Sequence, residues 1–243
     1  MWNAFVEMFV SWLVFLNNLL EGIGAPYSYG LAIILFTLMI KLITLPLTLQ
    51  QIRSSKAAQE LQPELQKLQK RYGKDKEKLA QKQMELYRKA GVNPFGGCLT
   101  MLVQLPIWIG LYQALYRIAQ EKLLTGGFLW IKDLAFPTPK VGMSWIWNPQ
   151  AVGLQWTGVI SYLILPVLTV VTQVVAQKMT TPPNPDPEQA AMNQAMLLML
   201  PLMLGFFAMQ VPSGLTLYWV TSNIITIIQQ YFTLPRARVP QKG

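Results

Sequence analysis

The chain has 243 residues, of which 52% are hydrophobic and 13% charged, with a formal net charge of +9. That leaves too few polar residues to coat a soluble globule of this length, and the natural class is a polytopic membrane protein. With no histidine and one cysteine, Cys98, the inventory excludes zinc hydrolysis, serine-histidine-aspartate chemistry, an intramolecular disulfide and a thiol-rich metal site.

Residues 1–28 open with the apolar stretch WNAFVEMFVSWLVFLNNLL. Glu7 and the Asn17-Asn18 pair shorten its clean apolar run below a span, and no basic residue precedes Lys41, unlike the start of a signal peptide. The expectation is an amphipathic helix lying in the outer interface, with an uncleaved signal-anchor as the alternative.

The first span is expected over 29–49 and includes LAIILFTLMIKLITLPLTLQ, apolar except for Lys41. As one straight helix it would place the Lys41 Cα roughly 18 Å from the outer end and roughly 12 Å from the inner end. A cation facing lipid at such depth costs about 2.5–3.5 kcal/mol. No Asp or Glu falls in any expected span, so no carboxylate offsets it there. Two readings follow: the ammonium points into a hydrated cavity open to the cytoplasm, or the true span ends near Thr44 and Lys41 snorkels at its boundary.

Residues 50–92 carry eleven Lys/Arg against five Asp/Glu, which assigns them to the cytoplasm. Apolar residues recur at helical spacing, Leu61, Leu65 and Leu68 and then Leu79, Leu86 and Tyr87, around a turn at Tyr72-Gly73-Lys74-Asp75. This predicts a helical hairpin, with Pro63 kinking or restarting its first arm. It reads either as a solvated spacer or as a docking arm for something negative, such as lipid headgroups, ribosomal RNA or an acidic partner.

Further spans are expected at 97–117, 157–177, 192–211 and 213–232, joined by an external loop at 118–156 and a cytoplasmic loop at 178–191, with a basic tail at 233–243. The fold class is therefore all-α, with five transmembrane helices, the N-terminal interfacial helix and the hairpin. With the N-terminus outside and the C-terminus inside, 15 of the 20 basic residues are cytoplasmic and four external, leaving Lys41, in accord with the positive-inside rule. In the external loop, Trp130, Trp145, Trp147 and Trp156 read as an interfacial belt with no role beyond anchoring.

Polar side chains on several spans are candidates for the wall of a groove around Lys41: Thr100, Gln104, Thr172, Gln173, Ser222 and Asn223. Singly, a threonine or serine in a span bonds its own helix or a neighbour, whereas an amide in hydrocarbon needs partners. Met192, Met196, Met199 and Met203 form one stripe of the fourth span. That stripe suits either an adaptable apolar slide or ordinary helix packing.

The string LQPELQKLQKRYGKDKEKLAQKQMELYRKAGVNPFGGCLTMLVQLPIWIGLYQAL, with VPSGLTLYWVTSNIITIIQQ further on, closely resembles the YidC/Oxa/Alb family of membrane protein insertases. The likeness runs from Tyr29 to Phe232, and the motifs NP-GGC, Gln104 to Ile107 and PSGL-LYW carry it. The resemblance implies a hydrophilic groove with a basic residue in the first core span, usually arginine, at the position of Lys41. Lysine keeps the charge but lacks arginine's bidentate fork, which favours a general electrostatic role.

The resemblance further implies that Tyr218 and Trp219 contact clients and that the hairpin helps recruit them. Expected partners are nascent membrane proteins and the bilayer, with the ribosome and the Sec translocon as further candidates, and no DNA. Neither a cofactor nor a metal is expected. The chain looks like the short bacterial form without the large external domain, resident in the plasma membrane. A small anion channel or transporter, and an assembly factor that moves no polar tail, remain the alternatives.

Overall fold

The computed structural model describes residues 1–91, 96–121, 123–124, 126–138, 140–180 and 187–233, and the chain is all-helical among them. Apart from one isolated bridge between Phe128 and Ile131, every regular element is a helix. Thr100 lies outside the residues whose side chains are described.

Helix α1 (Trp2–Gly22) is unbroken through Glu7 and the asparagine pair. Val6, Phe9, Leu13 and Leu16 are buried on one face, because they recur with the helical period. Phe9 meets Phe36 of α2 (Ser28–Ile43) edge-on at 5.2 Å. Phe5 and Phe9 also close over Gly110 of α6 (Gly96–Gln120), where a Cβ would stand 2.7 Å from the Phe5 ring. Trp2 donates to the Gln113 amide at 2.9 Å and Glu7 pairs with Arg117, so α1 is held to α6 by polar contacts as well as by packing.

The segment expected as one straight first span is broken. Helix α2 ends at Ile43, and α3 (Leu45–Glu60) restarts at a bend of 61°. Pro46 supplies the reason: it has no N–H for the Leu42 carbonyl and disfavours helical backbone at Leu45, yet is tolerated in the first turn of a new helix. Thr44 covers the end of α2, its N–H and hydroxyl both donating to the Ile40 carbonyl, at 2.9 and 2.8 Å.

Helices α4 (Gln62–Tyr72) and α5 (Lys76–Lys89) form a hairpin with Pro63 in the first turn of α4. The Asp75 carboxylate caps α5 by accepting from the Lys78 N–H at 3.1 Å. Leu65 and Leu79 are buried between the arms.

The loop beyond α6 is packed onto the bundle. Ser213 and Gly214, in the first turn of α10 (Ser213–Thr233), donate their backbone N–H groups to the carbonyls of Phe136 and Leu134, both at 2.9 Å. Loop carbonyls thus satisfy N–H groups that a helix start leaves without partners. Of the four tryptophans expected as an interfacial belt, Trp130, Trp147 and Trp156 are exposed, whereas Trp145, in the short helix α7 (Ser144–Trp147), is 1% exposed. Its indole N–H donates to the Met209 carbonyl at 3.0 Å, so it plugs the loop against the turn that leads into α10.

Helices α8 (Trp156–Thr180) and α9 (Pro187–Ala208) pack closely at Gly205, whose position admits no side chain: a Cβ would stand 2.3 Å from Val170. By length and hydropathy, Trp2–Gly22, Trp156–Met179 and Ala190–Ala208 can each cross a membrane, and the bent α2/α3 pair makes a fourth candidate. The N-terminal run, expected to be too interrupted for a span, is thus long and apolar enough to make one. The expected spans in α6 and α10 have 25 and 21 residues, enough to reach across a bilayer core of about 30 Å.

Candidate functional site

The bend after Ile43 changes the setting of Lys41. Instead of sitting above further turns of straight helix, it occupies the last turn of α2, where the carbonyl end of the helix favours a cation by roughly 0.3–1 kcal/mol. The helix, though not the candidate span, ends two residues beyond it, and the chain runs on into α3. Yet the ammonium is turned across onto α10: Nζ donates to the Thr226 hydroxyl at 2.8 Å, and that hydroxyl donates to the Ser222 carbonyl, also at 2.8 Å. Among the described residues no carboxylate forms an ion pair with Lys41.

Tyr218, Ser222 and Thr226 lie four residues apart on α10, one stripe of a helix. At the Tyr218 end, the Gln104 amide of α6 donates to the phenol oxygen at 2.9 Å. Three helices thus contribute to one polar track that runs about 12 Å along α10, with the charge at one end and an amide-phenol pair at the other. Thr226 is the member that sequence reasoning missed. Its signal was available: it continues the four-residue spacing of Tyr218 and Ser222.

Not every expected groove residue joins this track. Asn223 follows Ser222 and so faces about 100° away, where its amide donates to the Thr172 hydroxyl of α8 at 3.2 Å. That pair ties α8 to α10. Gln173 follows Thr172 on α8 and is half-buried.

The aromatic pair is enclosed. Tyr218 is 2% and Trp219 6% exposed. Trp219 lies 5.7 Å from Trp108 and 6.1 Å from Phe207, ring to ring, so it joins α6, α9 and α10. Trp108 Nε1 is buried among these rings without a hydrogen-bond partner. The methionine stripe is the opposite case: Met192, Met196, Met199 and Met203 are 48–66% exposed, so they do not pack inside the bundle but form an open apolar face on α9.

The model of a family described as "60Kd inner membrane protein" matches residues 20–239. The chain belongs to that family. It comprises membrane protein insertases rather than enzymes.

Among relatives, the chain is 44% identical over 224 residues to the chloroplast protein "Inner membrane protein PPF-1" of Pisum sativum, covering 88% of this chain and 50% of that one. It is 37% identical over 238 residues to "Membrane protein insertase YidC" of Oceanobacillus iheyensis, covering 94% and 81%. The chain spans about half the length of the chloroplast relatives it matches. A crystal structure described as an active YidC insertase with its first transmembrane domain resolved aligns with a TM-score of 0.64 at 30% identity, over 94% of this chain and 46% of that one. The chain is therefore an all-helical, multi-pass membrane protein with a YidC-like fold.

Proposed function

We propose that this protein is a membrane protein insertase that moves short acidic tails of client proteins across the bilayer and releases their apolar spans into lipid. The observation that carries the reading is the Lys41–Thr226 contact: a cation with no ion-paired carboxylate among the described residues, held at the end of a polar track on α10. A carboxylate drawn into low dielectric is attracted by such a charge more strongly than in water. A potential negative inside then favours outward movement by about 2.3 kcal/mol per charge per 100 mV for a full crossing. The exposed methionines of α9 would cover the emerging apolar span, and burial of that span in lipid drives its release. No covalent step is required.

The proposed topology has five spans, the bent α2/α3 pair and then α6, α8, α9 and α10, with the N-terminus outside, the C-terminus inside and α1 associated with the outer interface. Basic-residue bias supports it. Clients would enter from the hairpin side and from lipid, because the loop around Leu134 and Trp145 packs over the opposite end of α10. Tyr218 and Trp219 would reach a client only after the rings around them part. The ribosome and the Sec translocon are proposed partners on the resemblance alone. Residence is proposed in a bacterial plasma membrane, on the 37% identity to the Oceanobacillus insertase over 94% of this chain. A chloroplast membrane is the second location, favoured by the higher identity to plastid proteins.

The deciding experiment is insertion into proteoliposomes of a single-span client with an acidic N-terminal tail, scored by protease protection, for the native protein, Lys41→Ala and Lys41→Arg. Arginine is expected to support insertion and alanine to lose it, with the difference vanishing when the client tail is neutralised. Equal insertion by all three would remove Lys41 from the mechanism. It would favour a non-translocating assembly factor, the reading to which the open methionine face of α9 also lends itself.

A further inference from the structure

A cleft of about 500 Å³ opens beside the arms of the hairpin. Lys67 and Arg71, one turn apart on α4, and Lys82 and Lys89 on α5 line it, four cations against the two carboxylates Glu64 and Glu85. Glu85 takes the two cleft-lining lysines of α5, Lys82 at 2.7 Å and Lys89 at 2.8 Å. Among the described residues no carboxylate forms an ion pair with Lys67 or Arg71; Arg71 instead lies 5.5 Å from the centre of the Tyr72 ring. Arg71 is also near enough to Lys82 to oppose its charge. Buried Leu65 and Leu79 therefore clamp together two arms whose cations repel across the cleft.

The floor has a different character. Leu68 and Leu86 are half-buried there, with the Tyr72 ring beside them. We propose that this cleft is a docking site for an acidic peptide segment carrying apolar residues among its carboxylates. Two carboxylates one helical turn apart would answer Lys67 and Arg71, and an apolar side chain between them would cover Leu68 and Leu86. A phosphate chain would meet the charges and leave the leucines wet, which is why a peptide is favoured over RNA. Glu85 acts as an internal competitor, since it holds the two α5 cations that an incoming carboxylate would otherwise use.

The site goes beyond the insertase reading and is tested without it, because binding is measured with no insertion step. The probe is a fluorescent helical peptide of glutamate and leucine, titrated by anisotropy against the whole protein in nanodiscs of neutral lipid. Comparison probes are a glutamate-only peptide, a lysine-leucine peptide and a single-stranded RNA. The glutamate-leucine peptide is expected to bind at least tenfold more tightly than each of the others. The double variant Lys67→Glu/Arg71→Glu should weaken it at least tenfold.

Glu85→Gln, which frees Lys82 and Lys89, should tighten binding several-fold, a gain that a misfolded arm cannot produce. Unchanged binding by the double variant, no gain with Glu85→Gln, equal binding of the lysine-leucine peptide, or preference for RNA would each overturn the proposal.

Discussion

Lys41 on α2 and Thr226 on α10 are 185 positions apart in the chain and meet at 2.8 Å. The contact joins the first core helix to the last and gives the ammonium a neutral oxygen in place of a carboxylate. Thr226→Val keeps the shape and removes that oxygen. Loss of a hydrogen bond to a charged group should cost the bundle about 1.5–3 kcal/mol. Lys41→Met in the same background should recover most of it, because the unsatisfied charge is then gone. Denaturant unfolding of the four proteins of this double-mutant cycle in mixed micelles measures the coupling.

The Gln104–Tyr218 pair is the second polar link to α10. Tyr218→Phe leaves the Gln104 amide without its phenol partner, and Gln104→Leu leaves the phenol enclosed. Each single change should destabilise by about 1–3 kcal/mol, and the pair changed together by less than their sum. Strict additivity would show that the two groups do not interact in the folded protein.

Gly205 and the methionine stripe lie on the same helix and should respond in opposite ways. Gly205→Ala places a methyl against Val170, where a Cβ has only 2.3 Å, and should cost about 1–3 kcal/mol through separation of α8 and α9. Met199→Ala changes an open position and should move stability by less than about 0.5 kcal/mol, while slowing release of apolar clients if the stripe is a slide. Thermal unfolding and insertion rate, measured on both variants, separate packing from function.

Glu85 supplies a pH dependence in the hairpin. Hydrogen bonds and charge from Lys82 and Lys89 hold its carboxyl down to about 2, below the usual carboxylate range. A group whose folded pKa is depressed stabilises the fold above its unfolded value and loses that contribution as pH falls through the folded one. The Glu85 contribution should therefore be complete above about pH 5 and fade toward pH 2. Carbon NMR of the side-chain carboxyl should show this low midpoint, and the Lys82→Met variant should raise it toward the ordinary glutamate value.

Much of the architecture can be read along the chain because membranes impose strong local rules. Apolar runs of fixed length mark most of the long helices, and charge bias separates the hairpin from the loop beyond α6. Leu65 and Leu79 betray the hairpin by their period, with Tyr72-Gly73-Lys74-Asp75 as the turn between its arms. Lys41 stands out because a lone cation in an apolar run has no local explanation.

The sequence by itself determined the helical class, the positions of the apolar segments, the basic arm and the identity of the odd charge, because each depends on neighbours within a few turns. Only the tertiary structure decided that Pro46 ends α2 just beyond Lys41, that the ammonium turns onto Thr226, and that Asn223 faces α8 while Ser222 does not. It also decided that Trp145 is buried and the methionines of α9 are open. These outcomes depend on how helices rotate and cross. Rotation is set by close packing at places such as Gly205 and Gly110, where distant segments meet, and one strand of local periodicity carries no record of which partner a face will find.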